Sequence, residues 1–304
     1  MIHISQGMDT ARGAAGFTLT NQLDAQATMR LEKAQTAALR HFPWLDIASH
    51  RHGATTIYHW GHHPPGTSLY AHWDGSLFVL VGSPSNSVDW DTALKDLDAS
   101  VMTSFEPPWQ GRFVLARISA DGLQWTLWND WAGSIPVYHA SAKGVPVASS
   151  LEPLVVAAVG LTANEFSKRG MIEMLAHGHF LGTDTLFTKM QTLPPDSVSH
   201  WSGAEFVYSK ALWTVEPSDS RWARGWDELA DEMHDHTVKV VGDALKQHDR
   251  WILPLSGGMD SRITACVGID QGVDLHAYTY GPATWSETIY ARQVARVLGM
   301  PWQR

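Results

Sequence analysis

Apolar residues recur along this chain with two periods, and the switches between them mark its elements. Leu23, Ala27, Leu31, Ala34, Ala38 and Leu39 step by threes and fours, predicting an amphipathic helix over about 22–41 that Phe42-Pro43 ends. Residues 1–20 carry no clear period and read as poorly ordered. From Ile57 to Gly82, aromatic and β-branched runs are broken by His62-His63-Pro64-Pro65-Gly66 and Asp74-Gly75, as in strands joined by turns. Leu77–Val81 is the strongest of these strands. Asp89 or Asp91 is placed to cap a helix in which Leu94, Leu97, Val101, Met102 and Phe105 share a face, closed by Pro107-Pro108. Gly111–Ile118 and Leu123–Trp128, either side of Asp121-Gly122, form the clearest hairpin. A strand at Val145–Ala148, helices near 151–159 and 164–177, and a hairpin over 197–208 follow.

Beyond residue 212 the pattern changes. Glu216-Pro217-Ser218-Asp219-Ser220 marks 213–226 as a linker. Leu229, Met233, Thr237, Val240, Ala244 and His248 then share a long helical face, with Asp227 placed to cap it. Trp251–Leu255 is a short apolar run before a double glycine, the signature of a buried parallel strand. From about Asp260 a helix places Ile263, Cys266 and Val267 on one face. Leu275–Tyr280 predicts a second strand. A helix over 286–298 follows, boxed by Thr284 and Glu287, with Tyr290, Val294, Val297 and Leu298 inward, and Gly299 ends it.

The turn between the first of these strands and its helix carries the candidate chemistry. Ser256-Gly257-Gly258-Met259-Asp260-Ser261 brings bare backbone over a strand end, and its N–H groups converge with those of a helix start, which makes an anion site. No Gly-Lys-Ser/Thr follows, so the loop is not that of P-loop hydrolases. Read alone, the same residues also describe a glycine turn with Ser and Asp capping a helix.

Composition narrows the function classes. A net charge of −9 without a lysine or arginine cluster gives no footprint for nucleic acid. No apolar run approaches a membrane span, and Met1-Ile2-His3-Ile4-Ser5 lacks a signal-peptide pattern, so a cytoplasmic protein is expected. Cys266, the one cysteine, excludes an internal disulfide and reads as a small buried hydrophobe behind the loop. His62-His63, His234 and His236 match no zinc spacing, and Asp231 with Asp235 reads as a solvated helix face.

The loop resembles the pyrophosphate-binding loop of ATP pyrophosphatases that adenylate their substrates. Two further stretches, Gly111–Ala116 with Asn129–Tyr138 and Ala148–Leu154, then His177-Gly178 through Thr185–Phe187 to Leu193–Asp196, look like the second half and exit of a class II glutaminase domain. From about Leu77 onward the chain therefore resembles the asparagine synthetase family. The resemblance implies an α+β, αββα N-terminal-nucleophile sandwich over 1–212, a linker over 213–226, and over 227–304 the start of an α/β, doubly wound, HUP-like ATP-pyrophosphatase domain. It implies a ligase that adenylates a small-molecule or peptide carboxylate with Mg-ATP and forms an amide with ammonia or an amine.

In this resemblance Leu255, Ser256, Gly257, Gly258 and Ser261 hold the pyrophosphate, Asp260 helps bind Mg2+, and backbone at Tyr280 and Gly281 meets the adenine. Arg262, beside the motif, reads equally as a phosphate contact and as a surface ion pair. Two departures stand out. Ile2 occupies the place of the family's N-terminal cysteine and its bulk keeps Met1 in place, and Gly82-Ser83-Pro84 stands where the family has Asn-Gly-Glu, so no glutaminase activity is expected. The later acceptor and lysine positions are missing, so the sequence reads as a fragment of a longer protein. β-Lactam-synthetase-like or lasso-cyclase-like intramolecular ligation and a non-catalytic ATP-binding scaffold are the alternatives, with homodimerisation left open.

Overall fold

A strand with apolar residues at alternate positions must hide one face, and in the N-terminal part of this protein two sheets hide theirs against each other. The computed structural model describes residues 14–62, 68–71, 74–84, 111–212, 223–246 and 248–304. It divides into two units, Met1–Thr214 and Val215–Arg304. The helix expected over 89–105, the Pro-rich turn after His62, Ile2 and the linker's Glu216–Ser220 all lie outside the described residues.

Unit one contains β1 (Gly16–Thr20), α1 (Ala25–Leu39), β2 (Asp46–His52), β3 (Thr55–Gly61), β4 (Leu69–Ala71) and β5 (Leu77–Pro84). These are followed by β6 (Gly111–Ile118), β7 (Gln124–Asn129), β8 (Tyr138–Ala142) and β9 (Val145–Ser149). Next come α2 (Glu152–Val159), α3 (Lys168–His177), β10 (Met190–Thr192), β11 (Ser197–Ser202) and β12 (Glu205–Ala211). Two six-stranded sheets result, ordered β10-β8-β9-β1-β3-β2 and β12-β11-β7-β6-β5-β4. Every pairing within them is antiparallel.

Phe17, Leu19 and Ile57 of the first sheet meet Val79, Val114, Ala116, Leu127 and Trp201 of the second in one buried cluster. Helices α1 and α2 cover the other side of the first sheet, with Leu31, Leu39, Leu154 and Val155 packed on Trp60 and Val147. Helix, sheet and sheet are therefore three of the layers expected from the sequence. The order expected for the N-terminus is different. Residues 16–20 form the fully buried strand β1, central in its sheet, rather than a loose tail. Ala14 accepts from Gly82 N–H and donates to Leu80 O, while Ala15 donates to Trp60 O, so this segment stitches one sheet to the other.

The stretch Asn129-Asp130 through Tyr138 has a structural task. Asp130 is buried, and its carboxylate accepts from the N–H groups of Phe113 (3.2 Å), Ala132 (3.0 Å) and Ser134 (3.1 Å) and from the Ser134 hydroxyl (3.0 Å). Asn129 accepts from Ser197 N–H at 2.8 Å and donates to Pro194 O at 2.6 Å. One pair of polar side chains thus ties β6, the 130–134 turn and the entry to β11 together.

Unit two contains α4 (Trp226–Leu245), β13 (Arg250–Pro254), α5 (Met259–Asp270), β14 (Asp274–Tyr278), α6 (Ser286–Val297) and β15 (Trp302–Gln303). The three strands are parallel and ordered β13-β14-β15, two successive βαβ crossovers stepping one way. Leu255, Leu275 and Ala277 pack with Ala265 of α5 and Ala291 and Ala295 of α6, so both helices lie on one face. The other face is open: Ile252 is 69% and Tyr278 37% exposed, and Arg250 pairs there with Asp274 at 2.7 Å. β13 is thus half-buried, not enclosed on both faces as its apolar run suggests. Helix α4 begins at the N-cap Gly225 with no side-chain cap, and Asp227 lies inside its first turn.

Two expectations test this architecture. His139 on β8 packs against Trp201 and Phe206, and burial pushes its pKa down from 6.5 to about 4. The unfolded chain accepts a proton that the native state refuses. The contribution to stability is therefore full above pH 6.5, falls as the pH drops through the window from 6.5 towards 4, and is gone below it. Replacing His139 with Phe flattens the decline of thermal stability across that window by on the order of 3 kcal/mol. A smaller slope remains from His52, His59 and His200, which burial also pushes down. An unchanged slope in H139F contradicts the assignment. Separately, Asp130→Ala strands several donors inside the fold and lowers the unfolding free energy in urea by about 3 kcal/mol or more. A loss below ~0.5 kcal/mol, the level of an ordinary surface change, rules the tie out.

Candidate functional site

The loop Leu255–Gly258 begins where parallel pairing stops. Pro254 is the last residue of β13 in register with Tyr278 of β14, so the loop and the Tyr280–Gly281 turn leave the sheet at the same end. That is the carboxyl end of the strands, where open parallel sheets place their ligands. The structure therefore brings together the residues singled out in the sequence: Leu255, Ser256, Gly257, Gly258, Asp260 and Ser261 on one side, Tyr280 and Gly281 on the other.

Leu255 is buried and anchors the loop's base. Its N–H donates to Tyr278 O at 2.9 Å, and its carbonyl accepts from the hydroxyl of buried Thr279 at 2.7 Å. Trp302 Nε1 then donates to the same Thr279 hydroxyl at 2.9 Å, joining all three strand ends. The two glycines leave room for neighbouring side chains rather than adopting unusual dihedrals. A Cβ on Gly257 would stand 3.2 Å from the Tyr290 ring and 3.4 Å from a Glu287 oxygen, and one on Gly258 3.1 Å from Ser256 Oγ. Gly258, the N-cap of α5, has an ordinary extended φ of −74°. Gly281 does require its type, with φ 121° and the Trp285 ring 2.9 Å from where a Cβ would lie.

The loop donors are held as follows. Ser256 N–H donates to Ser261 Oγ at 3.1 Å, and the two serine hydroxyls are 3.0 Å apart. Gly258 N–H donates to Ser256 Oγ at 3.0 Å. Gly257 N–H donates to a carboxylate oxygen of Glu287 at 2.5 Å, from the first turn of α6. Asp260 is exposed in the first turn of α5, with the positive end of the helix dipole beside it. This donor set, two hydroxyls and several amides over a helix start, suits tetrahedral oxyanions, and a carboxylate already sits on one amide.

Several expectations shift. Glu287 does not form a capping box with Thr284; α6 starts at Trp285 with no side-chain cap, and the carboxylate reaches the loop instead. Sequence spacing alone could not separate these uses, because an acidic residue in a first turn fits both. Cys266 is exposed, not buried: α5 turns Ala265, Val267 and Gly268 to the core, and Ile263 is also 38% exposed. On α6 Val294 and Leu298 pack against the core as expected, beside the buried Thr288, Ala291 and Ala295, while Tyr290 and Val297 are 54% and 83% exposed. Arg262 makes no ion pair among the described residues; it donates from Nε to Gly258 O at 3.0 Å, back along its own helix.

In unit one, Gly82–Ser83–Pro84 is the paired end of β5 rather than a loop, and Gly82 has a φ of 87° with Arg112 O close to where a Cβ would lie. β1 starts at Gly16, preceded by Ala14 and Ala15, none of which carries a nucleophile. Among the described residues no group of three or more His, Cys, Asp or Glu could hold a metal ion. Among them also, no helix is long and apolar enough to cross a membrane.

No family model and no curated protein matches the chain. Among solved structures it is similar to a glutamine phosphoribosylpyrophosphate amidotransferase from B. subtilis complexed with ADP and GMP. The two are 11% identical over 97% of this chain and 60% of that one, with a TM-score of 0.33. It is also similar to a structure of the allosteric regulatory enzyme of purine biosynthesis, 13% identical over 96% of this chain and 59% of that one, again with a TM-score of 0.33. The chain thus spans about 60% of the length of these structures, and at a TM-score of 0.33 the likeness carries no argument about fold or function.

Proposed function

We propose that this chain is part of an ATP-dependent ligase of the asparagine synthetase type, which activates a carboxylate by adenylation and joins it to ammonia or an amine. The observation that supports the reading is the loop at the carboxyl end of β13. Two glycines, two serine hydroxyls and a helix start converge there, and the carboxylate of Glu287 accepts from a loop amide. A site that draws an oxyanion from its own fold suits the oxygens of a triphosphate.

In this reading Ser256, Gly257, Gly258 and Ser261 bind the departing pyrophosphate end of ATP and steady the charge that builds there. Bound Mg-ATP would supply the electrophilic phosphorus and a good leaving group. Asp260, exposed beside the amides, would offer a carboxylate to the magnesium. Backbone at Tyr280 and Gly281, which leaves the sheet at the same end as the loop, contacts the base of the nucleotide in this reading. The amine arrives free or as part of the substrate. In this reading Ile2, standing where the family has its N-terminal cysteine, leaves no thiol there to release ammonia from glutamine.

Calorimetry with Mg-ATP tests the reading on the complete protein. The chain binds Mg-ATP, and Asp260→Ala weakens that binding at least ~10-fold, the scale of one charge-assisted contact, while leaving thermal unfolding unchanged. Absence of heat on Mg-ATP addition, or a D260A variant with unaltered affinity and turnover, removes the ligase reading and leaves a non-catalytic scaffold.

A further inference from the structure

The donors assigned above to phosphate differ in which groups hold them. Ser256 N–H and Gly258 N–H are satisfied by serine hydroxyls five and two residues away, contacts that form with the loop itself. Gly257 N–H is satisfied from 30 residues away, by the carboxylate of Glu287 at 2.5 Å. That bond is charge-assisted and short, the strongest class available to a loop amide. The helix that carries the accepting carboxylate, α6, leaves its own first-turn N–H groups without a side-chain cap, although Thr284 and Glu287 have capping-box spacing. The contact is specific to the assembled βαβ unit, since the Tyr290 ring closes over Gly257 from the next turn of α6.

Resting on the reading of this loop as a phosphate site, we propose that Glu287 is its gate: a carboxylate that holds Gly257 N–H and must leave it before a phosphate oxygen can take its place. One amide hydrogen cannot serve a carboxylate and a phosphate at once, and the two negative charges repel at that range. Glu287 is exposed, so its side chain can swing into water without disturbing the core. Binding is then an exchange of one anion for another. A monoanion gains nothing by it, because it replaces a contact as good as its own. A polyphosphate gains, because its further oxygens reach the serine hydroxyls and the first-turn amides of α5. The gate therefore selects polyphosphate over singly charged anions.

Titration calorimetry of the complete protein with inorganic pyrophosphate in EDTA, and with Mg-ATP, tests this on wild type, Glu287→Ala and Glu287→Gln. Removing the carboxylate tightens pyrophosphate by roughly tenfold, the value of one charge-assisted hydrogen bond. E287Q, which keeps the shape and a weaker neutral acceptor, falls between wild type and E287A and serves if E287A does not fold. Acetate, undetectable on wild type, becomes measurable on E287A. Weaker binding in both variants overturns the gate and makes Glu287 a ligand or metal carboxylate; unchanged binding makes it a surface contact. Should wild type and variants all ignore both probes, the phosphate reading itself falls, whereas binding by wild type without tightening in the variants removes the gate alone.

Discussion

Where a strand turns directly into a helix, the chain exposes a run of N–H groups that no carbonyl of its own can answer, and the second unit of this protein is arranged around that demand. The donors of Ser256, Gly257 and Gly258 are met by Ser261, Glu287 and Ser256 in turn. Behind them, Thr279 and Trp302 lock the ends of three parallel strands through one buried hydroxyl. The loop therefore inherits its shape from strand register: shift β14 by one residue and both the Tyr278 carbonyl and the Thr279 hydroxyl leave Leu255. A site held by register is rigid at its base, and what can still move is a side chain above it.

How far this was legible in the sequence depends on what each element is answerable to. Helix α1 follows from its own spacing, capped by Asp24 and buried along Ala27, Leu31 and Leu39. The β6–β7 hairpin follows from Asp121-Gly122, whose glycine takes a φ of 74°. The loop follows from two glycines and the strand before them. Strand β2 was invisible, because Asp46-Ile-Ala-Ser-His-Arg-His52 is a polar edge strand whose pairing with β3, not its own pattern, makes it extended. β1 was missed because Gly16–Thr20 is buried on both faces and too short to show a period.

The inward faces of α5 and α6 are legible only in part. Val267 is buried, and Val294 and Leu298 pack on the core, as their spacing suggests. Ile263, Tyr290 and Val297 are instead exposed and Ala265, Ala291 and Ala295 take the buried places, because a spacing rule weighted by bulk passes over alanine. Glu287 does not read as a site residue from spacing for a different reason. Its partner lies 30 positions away in sequence, and only the parallel pairing of β13 with β14 brings Gly257 within reach.

The distance of that contact along the chain bears on what it does. Where other helical turns of this protein are capped by a side chain, the cap is an immediate neighbour: Asp24 accepts from Ala27 N–H, Ser167 from Gly170 N–H, Thr162 from Asn164 N–H. Such caps form with the helix and break only with it. The Glu287–Gly257 bond joins two elements that are already stable through Ala265, Ala291 and Leu275, so it can open while both stay folded. A bond that local folding does not require, made by a charge in the place where an opposing helix dipole asks for one, is suited to exchange.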